Sequence, residues 1–218
     1  MKRLTTGVVL IAALLGLAAC GESKPRTQGI YMLLDTSGTY TQELEKAQQI
    51  INALLSRLNP GDTFAVARID TASFTEKDLI AKITFDDRPS VANQQKRQFQ
   101  EAINRFVKSV RPSGYTDITG GMLQATQFLN EKNPGRKIVL IFSDMAEDIK
   151  KGYVRKDIKI PLDDFTVVAL NVTKLGVDNV DPRKYIERLE KWQNRVETGG
   201  GKWMVINDLD HIERITGG

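Results

Sequence analysis

Cysteine and histidine are almost missing from this sequence, which holds one of each in 218 residues. A lone cysteine, Cys20, excludes an intramolecular disulfide. Stability must then come from a packed core, which a chain of this length can build. A lone histidine, His211, argues against zinc clusters and against Ser-His or Cys-His nucleophile systems. It lies among Asp208, Asp210 and Glu213, where a surface helix is expected. Charge of one sign is also lacking. Lys and Arg number 31 against 27 Asp and Glu, a net charge of +4 that falls further if Lys2 and Arg3 are removed with a leader. With no aromatic-rich basic patch, nucleic acid is not an implied partner. No apolar run reaches the roughly 20 residues a membrane-spanning helix needs. Internal repeats and low-complexity tracts are absent. What remains is 41% hydrophobic residues and an ordinary 27% charged, the make-up of one soluble globular domain.

The short apolar stretch 7–19 follows Lys2 and Arg3 and reads as a secretory signal peptide. It ends in Leu17-Ala18-Ala19-Cys20, which resembles the lipobox of bacterial lipoproteins. The resemblance implies cleavage before Cys20 and acylation of that residue. Several acyl chains anchor stably, since each buried methylene adds about 0.8 kcal/mol. The bland alternative is an incidental thiol. By the resemblance to Gram-negative lipoproteins, Gly21 rather than Asp in the next position implies a bacterial cell-envelope protein on the outer membrane, facing the periplasm. The expected division is signal peptide 1–19, lipidated cysteine and tether 20–28, and one folded domain 29–218.

Within the domain, strand-like and helix-like segments alternate. Ile30 to Leu34 is a continuous apolar run, as in a strand buried on both faces. Further strands are expected at 63–69, 80–85 (weaker, an edge candidate), 137–142, 165–171 and 202–206. Helices are expected at 41–58, 90–110 and 117–131, at a segment opened by Asp181-Pro182, and at 209–215. The fourth carries the apolar stripe Ile186, Leu189, Trp192 and Val196. Asp181 is placed as its N-cap and Pro182 as its first residue. Trp203 is assigned to the core. The fold class is α/β, a Rossmann-like open and mostly parallel sheet with helices on both faces.

Oxygen-bearing residues gather at the ends of these elements. Asp35-Thr36-Ser37-Gly38-Thr39 follows the first strand, Thr116 sits in Ser113-Gly114-Tyr115-Thr116-Asp117, and Asp144 follows the strand 137–142. In an open α/β sheet, ligands bind at the carboxyl ends of strands. Hydroxyls and carboxylates are hard donors, suited to Mg²⁺, Mn²⁺ or Ca²⁺. An Asp-x-Ser-x-Thr after a strand also serves as a turn or helix cap, so a metal-free site is the competing reading.

With these residues placed, the chain resembles a von Willebrand factor type A domain over about residues 28–218. The hallmark of that family is the metal-ion-dependent adhesion site: Asp-x-Ser-x-Ser, a Thr and an Asp on three loops. Asp35, Ser37 and Thr39 match the first loop, Thr116 the second and Asp144 the third. Gly61-Asp62 and the Gly-x-Thr-Asp around Thr116 also fit. Thr39 stands where Ser is usual and keeps the hydroxyl. Met145 stands where Gly is frequent and predicts a bulkier loop beside the ion, affecting ligand access more than metal binding. The resemblance implies that Ser37, Thr39 and Thr116 hold the ion while Asp35 and Asp144 supply charge, often through water.

The resemblance implies an envelope-anchored binding module, not an enzyme. A divalent cation, Mg²⁺ ahead of Mn²⁺ or Ca²⁺, would accept an acidic side chain from an unidentified protein or peptide. No small-molecule cofactor is implied, and the membrane is a partner only through the anchor. A metal-dependent hydrolase is the alternative, but Ser37 stands where an Asp-x-Asp phosphatase needs its second carboxylate. A structural envelope protein with an idle site is the third reading. The charged stretch Glu147, Asp148, Lys150, Lys151, Arg155, Lys156, Lys159, Asp163 and Asp164 is expected as a solvated loop, with a partner-contact rim as its sharper alternative.

Overall fold

The computed structural model describes residues 26–38, 40–70, 75–155, 158–208 and 212–216. The expected signal peptide, Cys20, Thr39, Lys156 and His211 lie outside the described residues. Six strands, β1 (Gln28–Asp35), β2 (Thr63–Ile69), β3 (Leu79–Thr84), β4 (Arg136–Phe142), β5 (Phe165–Leu170) and β6 (Lys202–Ile206), form one sheet in the order β3-β2-β1-β4-β5-β6. All neighbours pair in parallel except β3, which runs antiparallel at the edge. The mostly parallel α/β fold expected from the sequence is therefore observed.

The helices are α1 (Leu44–Arg57), α2 (Pro89–Ser109), α3 (Ile118–Lys132), the short α4 (Gly176–Val180), α5 (Arg183–Thr198) and the short α6 (Glu213–Thr216). Successive side chains of a strand point to opposite faces, so β1 feeds two cores. Ile30, Met32 and Leu34 pack with Ile51 and Leu54 of α1, Phe99 and Ile103 of α2, and Ile215 of α6. Tyr31 and Leu33 pack with Met122 and Leu129 of α3 and Trp192 and Val196 of α5. Cover on both faces is why β1 is buried along its whole length. The Gly61-Asp62 pair has a structural task. Asp62 Oδ1 accepts the Gln28 N–H at 2.9 Å and Oδ2 the Asn59 N–H at 2.8 Å, tying the start of β1 to the end of α1.

Three expectations need correction. Ile186 is not on the inner stripe of α5 but 51% exposed; Leu189, Trp192 and Val196 face inward as expected, and Tyr185 joins them. Pro182, not Asp181, is the N-cap of α5, because Asp181 also closes α4, its N–H donating to Val177 O; its carboxylate still accepts the Arg183 N–H at 3.2 Å. Trp203 is half-buried against the core rather than within it, since β6 is a sheet edge.

The chain winds from β1 through β2 to one edge, then returns to β4 on the other side of β1. The carboxyl ends of β1 and β4 therefore form the switch point where open α/β sheets bind ligands.

Gly29 lies beneath α3. A Cβ there would sit 2.6 Å from Pro134 Cγ and 2.8 Å from Leu129 Cδ2. Gly29→Ala is expected to lose about 1–3 kcal/mol by overpacking. Urea denaturation measures it, and a change under about 0.5 kcal/mol, the size usual at surface sites, would contradict the close packing.

Candidate metal centre

Asp35 is the last residue of β1, and Leu34 pairs with Phe142, the last residue of β4. This register sets Asp35 beside Ser143 and one residue from Asp144. Asp35, Ser143 and Asp144 are buried, as is Thr116, while Ser37 is half-buried. Asp35 Oδ1 accepts the Ser37 N–H at 2.8 Å, turning the chain away from the strand, and Oδ2 accepts the Ser143 hydroxyl at 2.6 Å.

The three loops are joined pairwise. The Asp35–Ser143 hydrogen bond joins the first to the third. Ser37 bridges to Ser113, with the Ser113 N–H donating to Thr36 O at 2.7 Å, joining the first to the second. Thr116 and Asp148 exchange both backbone hydrogen bonds, at 2.8 and 3.0 Å, joining the second to the third. The structure thus brings Asp35, Ser37, Thr116 and Asp144 to one sheet edge. Thr39, the remaining expected ligand, lies outside the described residues.

The third loop is also held from behind by α5. Arg188 Nε donates to Asp144 O at 2.9 Å, and Trp192 Nε1 donates to Met145 O at 2.9 Å. Arg195 Nη1 lies 3.6 Å from Glu147 Oε2. Positions 188, 192 and 195 share one helix face, so one stripe of α5 grips residues 144, 145 and 147 in turn. Arg188 also forks onto Asp178 at 2.7 and 3.1 Å, holding α4 against the site and that carboxyl below its usual range.

Met145 departs from expectation. It has φ of +64° and is buried in the core cluster that contains Trp192. A left-handed backbone explains why glycine suits this position. The thioether packs inward, so it does not crowd the ion site as the sequence suggested. The charged stretch after Asp144 is likewise only partly solvated. Glu147 Oε1 accepts the Thr119 N–H at 2.6 Å. Arg155 forks onto Asp117, which is buried and caps α3 through the Gly120 N–H. Sequence reading missed Ser113, Ser143, Arg188 and Arg195. The only signal for the arginines was their spacing to Trp192 along α5.

The donor set fits a hard divalent cation. Ser37 and Thr116 offer hydroxyls, and Asp35 and Asp144 offer negative charge. Among the described residues no group of three or more His, Cys, Asp or Glu could hold a metal, so the fit rests on hydroxyls plus two acids. Burial pushes the Asp144 carboxyl up, and the charge of Asp35 adds to the rise; the Ala146 N–H and Arg188 oppose it. Arg188 is bound to Asp178, and among the described residues neither Asp35 nor Asp144 has an ion pair of its own.

A family model described as von Willebrand factor type A domain matches residues 30–147. Among solved structures, a von Willebrand factor type A protein from Catenulispora acidiphila is similar at 13% identity and a TM-score of 0.55. That alignment covers 87% of this chain and 41% of the other. The pilus adhesin SpaC from Lactobacillus rhamnosus GG, in its open conformation, is similar at 10% identity and a TM-score of 0.53, covering 89% and 29%. The chain thus spans less than half of either structure's length, and at these identities the likeness is one of fold. No curated protein sequence gives a significant match.

The raised Asp144 carboxyl has a consequence for stability. A folded value above the unfolded one favours the protonated form, so the stabilising contribution is complete at low pH and is lost as pH rises through the folded value. In chelator at pH 7, Asp144→Asn is expected to melt at a higher temperature than the parent protein. The gap should close toward about pH 4, the ordinary aspartate range. A lower melting temperature for the variant in chelator at pH 7 would contradict the assignment.

Proposed function

The chain belongs to the von Willebrand factor type A domain family, and on that premise we propose that it is a binding module using a divalent cation to capture an acidic side chain of a partner protein or peptide. The observation that carries this reading is the pairwise joining of three loops at the β1–β4 switch point, which gathers Asp35, Ser37, Thr116 and Asp144. Ser37 and Thr116, with Thr39, would hold the ion, and Asp35 and Asp144 would supply its countercharge. When bound, the cation offers a hard Lewis-acid corner to a carboxylate. Mg²⁺ is proposed ahead of Mn²⁺ or Ca²⁺ because the donors are few and compact.

We read the site as binding rather than catalytic. The Ser143 hydroxyl, which donates to Asp35, is fully buried and out of a substrate's reach. The α5 grip supports the same reading, since a rigid third loop keeps the site formed before a partner arrives and lowers the ordering cost of association.

We also propose that the protein is anchored in a bacterial envelope through Cys20, on the outer membrane facing the periplasm. Support comes from the lipobox-like Leu17-Ala18-Ala19-Cys20. Among the described residues no helix is long and apolar enough to cross a membrane.

Calorimetric titration of the chelator-stripped domain with Mg²⁺ or Mn²⁺ tests the site. One saturable event is expected, abolished in the Asp35→Ala, Ser37→Ala double variant, with a rise in melting temperature at saturating ion. Unchanged affinity in the double variant would rule the site out. Metabolic labelling with an alkyne fatty acid tests the anchor. Label is expected on the parent and lost in Cys20→Ala; equal labelling of both would reject it.

A further inference from the structure

The crossover from β4 to β5 contains no helix among its described residues. Parallel strands are usually linked by a helix that covers the sheet, but here residues 143–155 and 158–164 are irregular. Beside that segment, against α5, lies a cavity of about 590 Å³, within the range of small-molecule sites, roughly 300–1,000 Å³.

Its lining is chemically one-sided. Ile149, Ile158 and Ile160 supply apolar wall. Four cations, Arg155, Lys159, Lys191 and Arg195, face one acid, Glu147. Arg155 is neutralised by buried Asp117 at 3.0 Å and Arg195 by Glu147 at 3.6 Å. Glu147 is further occupied by the Thr119 N–H. Lys159 and Lys191 are exposed and have no hydrogen bond or ion pair among the described residues. The cavity therefore joins an apolar interior to two uncompensated ammonium groups.

We propose that this cavity binds a small amphiphilic anion, an apolar body carrying one carboxylate or similar head, with the body against the three isoleucines and the head at Lys159 and Lys191. Charge complementarity selects this occupant. A neutral apolar ligand would gain nothing from the two lysines, and a cationic one would be repelled. The site is separate from the cation-binding reading, because none of Asp35, Ser37, Thr116 and Asp144 lines it.

The test uses 8-anilinonaphthalene-1-sulfonate as probe, followed by fluorescence on the whole domain in chelator. One saturable site is expected. Decanoate should displace the probe, whereas decyltrimethylammonium at equal concentration should not. The Lys159→Glu, Lys191→Glu double variant should bind at least about tenfold more weakly, as expected when charge-assisted contacts are lost. Both lysines are on the surface, so its melting curve should match the parent's; if it does not, single Lys191→Gln is used and should weaken binding severalfold. The Asp35→Ala variant should bind the probe like the parent, which separates this site from the cation site. Absence of saturable binding, displacement by the cationic detergent as readily as by decanoate, or parent-like affinity in the lysine variants would overturn the proposal.

Discussion

The parallel register of β1 against β4 is the constraint on which the site depends. Leu34 opposite Phe142 is one of five pairs, Ile30 to Leu34 against Ile138 to Phe142, that are buried on both strands. A slip of one residue would turn every side chain of β1 to the wrong core. The burial that fixes this register also fixes the residues just past the strand ends. Asp35 meets the Ser143 hydroxyl, and Asp144 follows one residue on. Hydrophobic packing thereby sets two acids side by side, an arrangement their own repulsion opposes. The Asp144 carboxyl is raised first by its burial, and the charge of Asp35 adds to that rise.

Around that pair, polar contacts compensate for the irregular backbone. Loop peptide groups at a buried sheet edge must be hydrogen-bonded, and here they bond mainly to one another and to α5. The Thr116–Asp148 and Ser37–Ser113 bridges satisfy loop amides and carbonyls directly. Arg188 and Trp192 satisfy the carbonyls of Asp144 and Met145. Arg188 also pairs with Asp178, and Arg195 with Glu147, so the acids that flank the candidate centre on this side are themselves held by α5. Met145 sits in the left-handed region, where a non-glycine residue carries strain of order 1–2 kcal/mol, and its burial beside Trp192 offsets that cost. An inward thioether and an α5 that grips the loop are one solution, since Trp192 both covers Met145 and binds its carbonyl.

Much was legible in the sequence because burial writes itself into residue order. A run such as Ile30 to Leu34 has no polar face, so it predicts a strand covered on both sides. The stripe Leu44, Ala47, Ile51, Leu54 and Leu55 repeats at helical spacing and is buried as that spacing requires. Asp35, Ser37 and Asp144 stood out because short polar residues directly after apolar runs mark strand ends, while Thr116, between two helices, was picked out only by the resemblance to the family motif. Less legible were residues whose chemistry serves two roles. Nothing in residue order beyond their spacing to Trp192 singles out Arg188 and Arg195; a carbonyl and two carboxylates outside α5 turn them inward. Ile186 fits the core stripe by spacing alone, yet it is exposed, and the inner face of α5 at that level carries Arg188 on the third loop.

The sequence by itself determined the alternation of elements, the core-facing residues of β1, β4, α1 and α3, and which acids and hydroxyls follow β1 and β4. Those follow from periodicity and residue type, which are local properties of the chain. Tertiary structure alone decided that the three loops are joined to one another, that α5 grips the third, that Met145 turns inward, and that an irregular crossover leaves a cationic cavity beside Ile149 and Ile160. Each of these rests on contacts between residues far apart in sequence. Their partners are set by the register of the sheet and the rotation of a helix, which no local pattern encodes.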